Sequence, residues 1–164
     1  MGKKIAFLLI VWGWMACDIG IILAADRFID NGDGTVTDLQ LNLMWAKHDN
    51  QGDIDWKQAQ RWIKFTFPVT VAKSYENWRL PSLVELQSLV ADNTETRGYE
   101  TDCGQWVHIV PIIRLSCGWL WTSETSPIAP TARIYNFENN YHYTVRKSQS
   151  RAYRVLAVRN LDGS

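Results

Sequence analysis

Asn77-Trp78-Arg79-Leu80-Pro81-Ser82-Leu83-Val84-Glu85-Leu86 holds a strand end, a turn and a helix start in one short stretch. Pro81 locks its own φ and pushes Leu80 into an extended conformation, so no helix runs through this point from the left. Ser82 and Glu85 have the spacing of a reciprocal capping box. The hydroxyl accepts from the amide of Glu85, and the carboxylate accepts from the amide of Ser82. A helix is therefore expected from Leu83 to about Asp92, with Leu83, Leu86, Leu89 and Val90 as its apolar face.

Upstream, Asp30-Asn31-Gly32-Asp33-Gly34 separates Arg27-Phe28-Ile29 from Thr35-Val36-Thr37, which predicts a hairpin. The aspartates do not have calcium-loop spacing: an EF-hand alignment puts Ile29 at the first ligand position and Gln40 where a bidentate glutamate belongs. Leu41, Leu43 and Trp45 then alternate as a strand does. Asp55 is placed to cap a short helix carrying Trp56, Ala59, Trp62 and Ile63 and ending before Pro68. Downstream, an irregular stretch from Asn93 to Ser116 precedes four β-rich runs: Trp119–Ser123, Ala132–Phe137, Tyr141–Val145 and Tyr153–Val158. Helices set between β segments imply an α+β domain, two short helices packed on mostly antiparallel strands.

Leu43-Met44-Trp45, the decapeptide at Asn77 and Gly118-Trp119-Leu120-Trp121-Thr122-Ser123 occur in an order that resembles the C-terminal domain of the Legionella collagen-like adhesin. The resemblance runs from Arg27 to Arg159. It implies a variant of the C-type-lectin-like fold, distantly similar to the formylglycine-generating enzymes. In that arrangement the first and last strands pair, which sets Arg27-Phe28-Ile29 beside Tyr153–Val158. A shared scaffold does not by itself assign a job.

The length predicts one domain with its own core. Lys3 and Lys4 precede apolar runs at Ile5–Ala16 and Ile19–Leu23, followed by Ala24-Ala25. This reads as a signal peptide over 1–25 and a domain over 26–164, exported to the periplasm or the cell surface. Two alternatives keep the chain on the membrane: an uncleaved anchor, in which Asp18 costs about 3 kcal/mol at the bilayer centre, or lipid attachment at Cys17. Beyond the signal only Cys103 and Cys117 remain, and in an oxidising compartment they are expected to form a disulfide.

Without residues 1–25 the chain carries 15 basic and 16 acidic side chains, a balance that excludes bulk nucleic-acid binding. The charges are nevertheless segregated. From Asp26 to Lys57 the balance is minus four; from Thr131 to Arg159 it is plus five. Arg133, Arg146, Lys147, Arg151 and Arg154, with Tyr141, His142 and Tyr143, form the candidate ligand-binding set. Guanidinium forks match sulfate and carboxylate oxygens, and tyrosines supply rings and hydroxyls for a saccharide backbone. An anionic or sulfated polysaccharide fits, and the resemblance implies the same ligand class, held on a basic trimer surface. No Gly-X-Y repeat precedes the domain, so association into an oligomer stays open. The alternative partner is an envelope surface protein docking on the same basic strip.

Trp45, Trp78 and Trp121 are expected in the core, with Trp62 and Trp106 freer to be exposed. The Glu-Pro-Asn and Trp-Asn-Asp motifs of calcium-dependent lectins are absent, so neither a metal nor another cofactor is expected. An oxidase of the formylglycine-generating type would need a thiol pair near the C-terminal end, where the chain has none. His48, Asp49 and Asp55 read as a solvated loop, and no catalytic residue is assigned.

Overall fold

The computed structural model describes residues 26–91 and 98–162, so the signal peptide expected over 1–25 lies outside the described residues. Strands β1 (Phe28–Asp30), β2 (Thr35–Asp38) and β3 (Leu43–Ala46) precede helices α1 (Trp56–Arg61) and α2 (Leu83–Gln87). They are followed by β4 (Tyr99–Glu100), β5 (Trp106–Val107), β6 (Trp119–Thr125), β7 (Thr131–Asn136), β8 (Tyr141–Arg146), β9 (Tyr153–Arg154) and β10 (Val158–Asn160). Among the described residues every strand pair is antiparallel except β6 with β9, which establishes the α+β class.

The Asp-rich turn closes the β1–β2 hairpin as expected, with the Asn31 amide donating to the Thr35 carbonyl at 3.1 Å. Gly34 sits at φ 93°, a conformation that side chains with a Cβ resist. The expected pairing of the first and last strands does not occur. The sheet order is β1-β2-β3-β10, and Val158 lies opposite Trp45. The reason is burial: all four residues of β3 are buried, whereas β1 is half to fully exposed. A fully buried strand needs a neighbour on each edge, and an exposed one can stand at the border.

Tyr153–Val158, read as one strand, is divided. Tyr153-Arg154 runs parallel to Trp119-Leu120 in a second sheet of order β8-β7-β6-β9. Val155, Leu156 and Ala157, all at 0 % exposure, then cross through the core to reach the first sheet. The buried core contains Trp45, Trp121, Tyr135, Phe137, Leu86 and Ile109.

Both predicted helix caps form. Asp55 accepts from the Gln58 amide at 2.7 Å, and Ser82 and Glu85 make the reciprocal box at 3.2 and 2.7 Å. Arg79 forks onto Glu85 at 2.9 and 2.7 Å, and Glu124 accepts from the Leu83 amide at 2.7 Å. Helix α1 continues as a π-helical arm, Trp62–Thr66, and Pro68 lies in the first turn of a 3-10 segment, Phe67–Val69. Helix α2 stops at Gln87, short of Asp92, which is outside the described residues. Its continuation is taken by sheet-type bonds: Val90 bridges Ile109, and the Val110 amide donates to the Leu89 carbonyl at 2.9 Å.

Cys103 and Cys117 form the expected disulfide, with Cα atoms 5.3 Å apart, which fits folding in an oxidising compartment. It ties the loop after β4 to the start of β6. The bridge is expected to contribute about 3 kcal/mol through the loop it closes. Urea titration with and without reductant should show that loss, and coincident curves would refute it. Among the described residues no helix is long and apolar enough to cross a membrane.

Candidate functional site

Strand β8 decides which of the basic and aromatic residues can act together. It pairs with β7 so that Tyr141 faces Asn136, His142 faces Tyr135, Tyr143 faces Ile134, Thr144 faces Arg133, Val145 faces Ala132 and Arg146 faces Thr131. Successive side chains on a strand point to opposite faces. Tyr141, Tyr143 and Val145 therefore share one face, and His142, Thr144 and Arg146 share the other, with Arg133. The expected constellation of tyrosines among arginines is split by the sheet, a consequence of its two-residue period.

On the first face the tyrosines join an aromatic row. Tyr143 meets Trp119 edge-on at 5.1 Å, and Trp121 meets Tyr153 at 5.1 Å. Burial, together with Tyr143 beside it, pushes the Tyr153 phenol well above its ordinary pKa. Tyr141 is 57 % exposed.

On the opposite face Arg133 and Arg146 are diagonal neighbours across two strands, a spacing of roughly 7–8 Å in such a sheet. Arg146 is exposed and Arg133 half-buried. Neither makes an ion pair with a carboxylate among the described residues. Arg151, exposed in the turn before β9, lies within the field of Asp53. Lys147 turns away from the strip. Its ammonium sits 4.3 Å over the Trp56 ring, and its carbonyl accepts from the Trp56 amide at 3.1 Å.

Arg154 is not a surface ligand. It is 8 % exposed, donates to Ser116 Oγ at 2.9 Å and to Asp53 Oδ1 at 2.6 Å. The Arg154 bond holds the Asp53 carboxyl below its usual pKa. Asp49, expected in a solvated loop, is 4 % exposed. It accepts from the Ser116 amide at 2.7 Å, Ser116 Oγ at 2.9 Å and the Gln51 amide at 2.8 Å. Burial pushes its carboxyl above the usual pKa against the pull of those bonds and of Arg154. No local pattern announces this network, because Ser116 and Arg154 reach Asp49 and Asp53 only through the tertiary fold. Asp55 is spent on the α1 cap.

Among the tryptophans, Trp45 and Trp121 are wholly buried, Trp78 nearly so, and Trp106 is 45 % exposed, as expected. Trp62 is half-buried against Phe67, at 5.2 Å.

In comparison with known proteins, residues 34–159 match the family described as the Lcl C-terminal domain. No curated protein matches the chain.

Proposed function

The chain belongs to the Lcl C-terminal domain family, and on that premise we propose that it is an exported, non-catalytic binding domain of adhesin type that holds an anionic, sulfated polysaccharide. The observation that carries this is the Arg133–Arg146 pair, two guanidinium groups on one sheet face without a carboxylate partner among the described residues. Each can grip an acidic group through two parallel hydrogen bonds. Thr144 lies opposite Arg133 on the same face and offers a hydroxyl to the sugar between. Arg154, being buried, does not take part.

Heparin-affinity chromatography at rising salt tests the strip. The protein is expected to be retained at low salt, and Arg133→Ala with Arg146→Ala to elute near the void, since exposed charge contacts are screened within a Debye length of roughly 10 Å at moderate salt. Elution of the unsubstituted protein at the lowest salt, or identical elution of the double variant, refutes the assignment.

An envelope protein as partner is favoured by one feature: β8 is a terminal strand of its sheet, whose outer edge can accept a strand from another chain. Co-purification of one stoichiometric protein, without heparin retention, is the outcome that selects it.

A further inference from the structure

The α1 arm with its π-helical continuation stands apart from residues 74–80, leaving a cleft of about 870 Å³. That volume is in the range of small-molecule sites. Three rings line it, Trp56, Tyr75 and Trp78, interleaved with Gln60, Asn77 and Ser123. The rings are held in place: Trp78 is met edge-on by Phe67 at 4.7 Å and by Tyr75 at 6.2 Å, and the Trp56 indole N–H donates to the Thr122 carbonyl at 3.0 Å. Asn77 takes φ 63°, a left-handed backbone conformation that asparagine tolerates better than most residues.

The charged residues of the lining do not select an ion, and Lys147, outside the lining, is engaged by the Trp56 ring. Arg79 is taken up by Glu85 and Asn160, and Lys64 and Glu76 oppose each other in sign along the lining. A wholly apolar ligand would strip water from the amides and the hydroxyl without replacing it.

We propose that this cleft is a binding site for an uncharged saccharide, one pyranose ring lying against the indoles while its hydroxyls meet Gln60, Asn77 and Ser123. A sugar combines a C–H face for aromatic rings with a rim of donors and acceptors, and the lining pairs those two chemistries. The site shares no lining residue with the Arg133–Arg146 strip.

The test follows the indole N–H resonances of Trp56 and Trp78 by proton–nitrogen correlation during titration with maltotriose, cellotriose and chitotriose. At least one of these uncharged trisaccharides is expected to shift both signals saturably, with a dissociation constant below ~10 mM and no weakening at high salt. Ser123→Trp, at an exposed position lining the cleft, should abolish the shifts while keeping the remaining spectrum native. Arg133→Ala with Arg146→Ala should leave them intact, so failure of the heparin experiment and failure here are distinguishable. Absence of any shift with all three sugars, or shifts that persist in Ser123→Trp, overturns the proposal.

Discussion

Trp121→Ala is expected to destabilise the domain by about 5 kcal/mol. The side chain is at 0 % exposure, and replacing a buried tryptophan by alanine costs roughly 3–5 kcal/mol through lost transfer energy and the cavity left behind. Two local losses place the result at the upper end. The indole N–H donates to the Ile54 carbonyl at 2.8 Å, and an orphaned buried carbonyl costs about 1 kcal/mol or more. The edge-on contact with Tyr153 also disappears. Domains of this size have about 5–15 kcal/mol in total, so the variant should lose a third or more of its stability. Urea titration followed by circular dichroism measures this. Trp121→Phe keeps the ring and should recover about half of the loss; a midpoint for Trp121→Ala near that of the parent would contradict the packing described.

Arg154→Ala is expected to cost about 3 kcal/mol, lowering the melting temperature by roughly 10 °C. Removing one partner of a buried ionic group is typically worth 3–5 kcal/mol because the remaining charge stays desolvated. Here the Asp53 side chain is 52 % exposed, so solvent compensates part of the loss and the lower end applies. Asp49 is the group left in difficulty, since Arg154 is the cation that moderates its burial.

The sign of the pH dependence follows from both carboxylates. Asp53 is held low in the folded state by Arg154, so its stabilisation is present above its unfolded pKa and is lost as pH falls through the folded one. Asp49 is raised by burial, so its ionisation opposes folding as pH rises, and more so once Arg154 is gone. Both effects make the difference between parent and Arg154→Ala larger at neutral pH than in acid. Thermal melts across that range should show the gap narrowing as pH falls. A constant gap would mean that Arg154 acts by packing alone, and a melting temperature equal to the parent's would return it to the surface.

Local chemistry was readable wherever it is settled by neighbours in the chain. The Ser82–Glu85 and Asp55 caps, the Asp-Asn-Gly-Asp-Gly turn and the buried Trp45 and Trp121 follow from backbone donors, turn preferences and side-chain period. The end of α2 was not readable, because Val90 is claimed by Ile109, which lies across the long loop. Nor was the partner of β10: β3 takes it because of burial on both sides, a property of the assembled core.

The basic residues divide for the same reason. Arg146 and Arg154 look alike as charges in a row, but one ends an exposed edge strand and the other lies over Ser116. The separation of Tyr141 and Tyr143 from Arg146 is implicit in strand alternation, and became visible once β8 was fixed in register with β7. The Trp56–Trp78 cleft had no signature of its own, since its walls come from segments that share no motif.

The pairing of β10 with β3 bears on when this protein can fold. Leu43 meets Asn160, so the first sheet gains its β10 strand only after the segments that build both helices and the second sheet have been made. Contacts so distant along the chain form slowly. The core is therefore completed late, after the local hairpin and the two helix caps, whose partners lie close together in the chain, have had time to form.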